Sequence, residues 1–349
     1  MFDYSDSIDA FWDEKVRLST VFKEKLYNHR KANRNRLIAR LPETLGITIT
    51  ESCFKPQGSM AMQTIIQTRF SDAEYDIDDG IVFEKEDLKN DDGEYFSTKY
   101  IREKIKETLK DGRFCKQPKL CKNCVRVFYS EEDKEKHHVD FPIYRRYKND
   151  NDDIVRELAN EEEWIESDPT QVNIWFNDEI ESRNKQKTGK GSQLRVLIQL
   201  LKRFVRSRQN WDMPNGMKLT MLATECQDTF YERTDRAFRE LLLNINSRLK
   251  ISKTIRNLAH PDQPAITKTD NDTNVNNLKD KVEMAIDKLI ALDASDCDRK
   301  QARSVWDWIF MGDRFFDDFD EKHTDSSEEG IASSSPRYPV EHRGGGRFG

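Results

Sequence analysis

Apolar residues recur at helical spacing from the amino terminus. Ile8, Phe11, Val16, Val21, Phe22 and Leu26 predict a long first helix within residues 3–40, basic toward its end. Residues 46–54, Gly-Ile-Thr-Ile-Thr-Glu-Ser-Cys-Phe, alternate with the period of a strand that would deliver the chain to Gly58. The interval from Met60 to Thr68 leaves room for a helix, and the run from Ile77 to Phe83 is apolar enough for a buried strand. Asn90-Asp-Asp-Gly93 marks a turn, and Thr98 to Lys110 reads as an amphipathic helix. Strands are expected at 124–129 and 138–144, joined by the charged hairpin Ser130 to Lys136. Residues 148–163 read as a polar, acidic surface insertion.

From Ser192 onward the period becomes helical throughout. Leu194, Val196, Leu197, Leu200, Leu201, Phe204 and Val205 form an apolar face, which Met213-Pro214-Asn215-Gly216 ends with turn chemistry. Further helices are expected at about 218–232, 234–250, 275–292 and 297–312. The pattern divides the chain into an α/β half and an α-helical half, with a cleft expected between the two lobes. Residues 1–40 form an N-terminal helix packing on both lobes, 41–192 the α/β core, and 193–320 the helical lobe. Residues 321–349 lose all apolar periodicity and are expected to be disordered.

Composition narrows the function class. The 349 residues carry a formal charge of −6, 35% of them are charged, and mean hydropathy is −0.87. The chain lacks the strong positive charge of a nucleic-acid coat. No apolar run approaches the about 20 residues of a membrane span, and the acidic start Met-Phe-Asp-Tyr-Ser-Asp-Ser has no signal region. A cytoplasmic monomer is the expectation. Six scattered cysteines suit reduced thiols. Cys115, Cys121 and Cys124 with His137 or His138 could form a zinc site on paper, although Cys124 opens a strand and the single Cys-x-x-Cys has no second pair.

The chemistry lies in Gln57-Gly58-Ser59-Met60 and, about eighteen residues on, Tyr75-Asp76-Ile77-Asp78-Asp79-Gly80. In a strand, i and i+2 share a face, so Asp76 and Asp78 aim two carboxylates at one point while Ile77 turns into the core. Converging carboxylates call for a cation, and Mg²⁺ is commonly shared between carboxylates and substrate phosphates. Gly58 and Ser59 offer close backbone approach, N–H groups and a hydroxyl to a triphosphate. A third acid, Asp140, lies in the run His138-Val139-Asp140-Phe141-Pro142-Ile143-Tyr144. The combination reads as a nucleotidyltransferase site.

These same motifs, with Val125-Arg-Val-Phe-Tyr leading to His138-Val139-Asp140-Phe141-Pro142, resemble the bacterial cGAS/DncV-like nucleotidyltransferases, second-messenger synthases of anti-phage (CBASS) systems. The likeness follows the order of elements from about residue 5 to 320. It implies an α+β fold: a polymerase-β-like nucleotidyltransferase core with a mixed β-sheet, plus an oligoadenylate-synthase-like α-helical lobe, the active-site cleft between them. It also implies synthesis of a cyclic di- or trinucleotide from ATP and GTP with two Mg²⁺ ions, the best expectation being 3′,3′-cyclic GMP-AMP. By resemblance, Gly58 and Ser59 hold the donor's β- and γ-phosphates, Asp76 and Asp78 bind both metals, and Asp140 completes the metal bearing the acceptor hydroxyl. Lys202 matches a triphosphate-contacting lysine, Thr220 a small hydroxyl position, and Gln57 flanks the turn. Relatives of this type are often paired with an enzyme resembling ubiquitin-activating and -conjugating proteins, which would act here on Gly349 at the end of Arg343-Gly-Gly-Gly-Arg-Phe-Gly349. Two competing readings stand beside this one. A nucleic-acid-directed nucleotidyltransferase would use the basic clusters Arg30–Arg40 and Lys185–Arg208, and a catalytically inactive module would only bind nucleotide.

Overall fold

The computed structural model describes residues 1–67, 70, 75–131, 134–267 and 269–324. The first helical stretch is broken rather than continuous. Helix α1 (Ser5–Phe11) runs into a π-helical turn at Trp12–Val16 and stops. Ser19 then adopts an extended ψ of 146°, and its hydroxyl accepts from the Phe22 N–H at 3.2 Å to start α2 (Thr20–Leu45). The break lets the two pieces serve different cores. Tyr4, Ile8, Phe11 and Val16 pack with the helical lobe, whereas Leu18, Phe22, Leu26, Leu37 and Leu41 pack against the sheet.

Residues 46–54 bury Ile47, Ile49 and Phe54, as their alternation predicts, yet they are not one strand. Gly46 closes α2 in the left-handed region (φ +75°), and a 3₁₀ turn at Glu51–Cys53 delays pairing until β1 (Phe54–Gln57). The helix expected from Met60 to Thr68 is the single turn α3 (Gly58–Ala61). Gln63, with φ +57°, ends it, and Ile66 bridges back to Arg17.

An open eight-stranded sheet follows. Its strands are β1, β2 (Tyr75–Glu84), β3 (Lys119–Leu120), β4 (Val125–Glu131), β5 (Lys134–Phe141), β6 (Ile143–Lys148), β7 (Ile154–Ala159) and β8 (Trp164–Glu166). The order is β3-β4-β5-β2-β6-β7-β8, with β1 antiparallel on β2. β2 runs parallel to β5 and β6, and all other pairs are antiparallel, so the sheet is mixed. Pro142 divides the strand expected at 138–144 because it has no N–H to give the ladder. Its carbonyl still accepts from the Ile81 N–H at 2.9 Å. The supposed insertion at 148–163 instead contains the whole of β7, where Leu158 and Ala159 bury side chains. Helix α4 (Thr98–Leu109) covers one face of the sheet, with Ile101, Ile105 and Leu109 fully buried.

The helical lobe comprises α5 (Pro169–Gln186), α6 (Lys190–Val205), α7 (Gly216–Cys226), α8 (Thr234–Ile251), α9 (Thr273–Leu289), α10 (Arg299–Phe310) and α11 (Phe315–Thr324). Helix α11 reaches into the stretch read as disordered, because Phe315 and Phe316 pack on Phe11. Residues 325–349, including Gly349, lie outside the described residues. Among those described, no helix is long and apolar enough to cross a membrane.

Candidate active site

The pleat of β2 sorts the acidic run onto two faces. Ile77 and Asp79 turn inward with no exposed surface, while Asp76 and Asp78 turn outward. Parallel register sets His138 beside Asp76 and Asp140 beside Asp78, so four polar side chains share one sheet face. His138 Nε2 stands 3.0 Å from Asp76 Oδ1 and 4.0 Å from Asp140 Oδ2. One ligating atom each from Asp76, His138 and Asp140 fall within 4.8 Å of one another. Asp140 is held by Arg126, its ladder partner on β4, through two hydrogen bonds of 2.8 and 2.6 Å.

Asp78 is held differently. Its carboxylate lies against Gly58, where φ is +65° and an added Cβ would run into Asp78 Oδ2. Glycine is required there on both counts. Ser59 follows at the start of α3, partly exposed, its carbonyl accepting from the Thr64 N–H at 2.8 Å. The Gly-Ser turn and the acids are therefore one site.

The electrostatics of this face are strained toward a missing positive charge. Burial, then the charges of Asp76 and Asp140, push the Asp78 carboxyl up to about 7, while His138 and Arg126 pull it back. Burial alone would lower the pKa of His138, but its hydrogen bond to Asp76 and the two carboxylate charges raise it. Clustered carboxylate oxygens are the donor set that Mg²⁺ prefers, and an Asp78 that resists ionisation is what a divalent cation would relieve. Asp76, Asp78 and Asp140 fit such an ion. The imidazole of His138, a softer donor, reads better as the partner of Asp76.

Three residues assigned by resemblance each have a polar group engaged within the protein. Lys202 is 3% exposed, and its ammonium donates to the Thr64 carbonyl and hydroxyl, both at 2.9 Å. Thr220 is fully buried on α7 and its hydroxyl donates to the Gly216 carbonyl at 2.8 Å. Gln57 is buried; its amide fills the space over Gly80, and its Oε1 accepts from the Tyr144 hydroxyl at 3.2 Å. Among the described residues no cluster of metal-ligating atoms includes a cysteine. Cys124 is instead buried beside Asp140, whose charge, after burial, raises its thiol pKa.

Sequence inspection passed over His138 and Arg126 as parts of this site. The spacing of His138 and Asp140 repeats that of Asp76 and Asp78, which was a readable signal. Arg126 depends on the β4–β5 register and carried none.

Comparison with known proteins bears on the fold. Residues 52–144 match the family described as cyclic GMP-AMP synthase DncV-like, nucleotidyltransferase domain. The whole fold resembles that of a mutant Vibrio cholerae di-nucleotide cyclase (DncV) in complex with ATP, GTP and 5MTHFGLU2. The TM-score is 0.69 at 16% identity, covering 88% of this chain and 96% of that one. It also resembles the Vibrio cholerae DncV cyclic AMP-GMP synthase in complex with a linear intermediate (TM-score 0.69, 16% identity, 88% and 95% covered). Escherichia coli DncV bound to 3′-deoxy GTP gives a TM-score of 0.61 at 16% identity over 85% and 92% of the two chains. Residues 52–144 thus match the DncV-like nucleotidyltransferase domain family, and the chain has a DncV-like nucleotidyltransferase fold.

Proposed function

We propose that the protein is a cyclic oligonucleotide synthase that joins ATP and GTP into a cyclic dinucleotide, 3′,3′-cyclic GMP-AMP, as an anti-phage second messenger. One observation carries the reading: the register that pairs Asp78 with Asp140 directly beneath the positive-φ Gly58. The nucleotides bound by DncV in the similar structures support the choice of substrates.

Asp76, Asp78 and Asp140 would hold two divalent ions, which supply charge neutralisation at the transferring phosphoryl group and a lowered pKa for the attacking hydroxyl. The chain's own residues do the rest. Gly58 admits the donor phosphates to the backbone, and Ser59 presents a hydroxyl beside them. Arg126 and His138 keep Asp140 and Asp76 fixed on one face before any ion arrives, so little reorganisation accompanies the reaction. Ring closure needs two successive transfers in this one site, the linear product being turned between them.

A nucleic-acid-directed reading gains little support. In the first basic cluster, Arg34 is bonded to Asp79 and Glu51, Arg36 to Asp111, and Arg40 to the Lys110 carbonyl. In the second, Lys185 pairs with Glu181, Lys202 donates to Thr64, and Arg208 donates to the Ser207 hydroxyl and the Trp308 carbonyl. These side chains are engaged within the protein. Attachment through Gly349 to a ubiquitin-activating-like enzyme stays an expectation of the resemblance.

The test is incubation of the protein with Mg²⁺ and labelled ATP and GTP, with no polymer added, followed by mass spectrometry. A phosphatase-resistant cyclic product is expected. Elongation of added RNA without any cyclic product would overturn the proposal.

A further inference from the structure

Cys121 and Cys124 flank a hairpin turn at the rim of the catalytic face. β3 pairs with β4 through Leu120 opposite Val125, so the next pair outward sets Cys121 across from Cys124. The Cys121 N–H donates to the Cys124 carbonyl at 2.9 Å, and only the exposed Lys122 and Asn123 lie between them. Residues opposed at such a hydrogen-bonded position stand about 5.5 Å apart at Cα, their side chains on one face. A disulfide needs a Cα separation of about 4.4–6.8 Å. Both thiols are free, and the backbone already meets the requirement for a bridge.

The two sulfurs differ in their surroundings. Cys121 is partly exposed, and its carbonyl accepts from Arg102, a buried side chain of α4 that also donates to the Asn160 carbonyl at 3.2 Å. The backbone at Cys121 is thus anchored while its thiol stays within reach of solvent. Cys124 is buried two residues before Arg126, so the pleat puts both on one face. Arg126 is the ladder partner of Asp140, which sets Cys124 diagonally across from that acid. Burial, then the charge of Asp140, raises the pKa of the Cys124 thiol. Cys121 is therefore the thiol that meets an oxidant first.

We propose that Cys121 and Cys124 are a redox couple, which peroxide closes into a disulfide that weakens metal binding at Asp140 and lowers turnover. The Cys121 sulfur attacks the O–O bond of hydrogen peroxide, giving a sulfenic acid and one water. Cys124 then attacks that sulfur; its thiol proton leaves with the hydroxyl as a second water, and the S–S bond closes. Two thiols lose two electrons and two protons, and the peroxide is reduced to two waters. Closure draws the Cys124 sulfur toward Cys121 and removes its S–H from beside Asp140. Formation of the bridge is independent of the nucleotidyl-transfer reading, whereas its effect on turnover rests on it.

The test treats the full chain with hydrogen peroxide and digests it with trypsin without reduction. Cleavage after Lys119, Lys122 and Arg126 separates residues 120–122 from 123–126, and mass spectrometry should find these two peptides still joined. Affinity for Mn²⁺, a spectroscopic stand-in for Mg²⁺, should fall about tenfold or more on oxidation, the scale of losing a group that supports a metal ligand. The rate of cyclic product formation should fall with it, and dithiothreitol should restore both. Reduced Cys121→Ser should match the reduced wild type and lose every response to peroxide. Absence of the joined peptides would overturn the proposal, as would an unchanged Mn²⁺ affinity or a peroxide response that persists in C121S. The functional reading fails separately. If reduced wild type makes no cyclic product, the synthase assignment falls, and the joined peptides and Mn²⁺ affinity still decide the redox couple.

Discussion

Asp78 and Asp79 are adjacent, chemically identical and on opposite faces of one strand, and the protein treats them in opposite ways. Asp79 is fully buried and receives both of its oxygens' hydrogen bonds from Arg34, at 2.6 and 2.5 Å. Asp78 has no ion pair among the described residues and lies between two further carboxylates. One face of β2 thus neutralises its acid with the protein's own cation and fastens α2 to the sheet. The other face leaves Asp78 short of charge, which is a cost in stability that a ligand would offset. A carboxylate's role follows from what lies across from it, not from its own identity.

The largest effect that sharpens this contrast is on turnover. Replacing Asp76 and Asp78 together by Ala should remove product formation by at least about a thousandfold, roughly 4 kcal/mol of transition-state stabilisation. The thermal midpoint should hold or rise, because clustered like charges are being removed. Residual conversion of ATP and GTP by this double variant at the wild-type rate would break the assignment. Asp79→Ala should do the reverse, costing about 3 kcal/mol of stability by leaving Arg34 without its buried partner. Chemical denaturation measures that loss, and an unaltered midpoint would mean the pair is not structural.

A pH dependence comes from the helical lobe. Lys202 is a buried cation with no acid beside it, and burial, followed by the charge of Arg206, pushes its pKa down to about 7. Between pH 7 and the ordinary lysine range, the unfolded chain keeps this proton and the folded chain does not. Stability from this group should therefore rise with pH across that window, by up to about 1.4 kcal/mol per unit, and level off above it. Lys202→Met should flatten the dependence in unfolding measured from pH 7 to 10. An identical slope in the variant would place the titration elsewhere.

Much of the sheet half was legible in the primary structure. The period-two spacing of Asp76 and Asp78, the glycine ahead of them and the third acid at Asp140 each gave their face or turn through local geometry alone. The helices of the second half were equally readable from their apolar stripes. Boundaries were less so: one proline divided β5 from β6, and a serine cap broke the first helix.

What the chain alone determined was the orientation of each side chain relative to its own strand or helix, since that follows from backbone period. Which residues would meet was decided only in three dimensions. Lys202 was assigned to phosphate by resemblance alone, and its bond to Thr64, 138 positions away, came only with the docking of α6. Thr220 was turned inward by the packing of α7, and Arg126 acquired its role from a strand register. Pairings of this kind depend on how one element docks on another, and no spacing within either element encodes that.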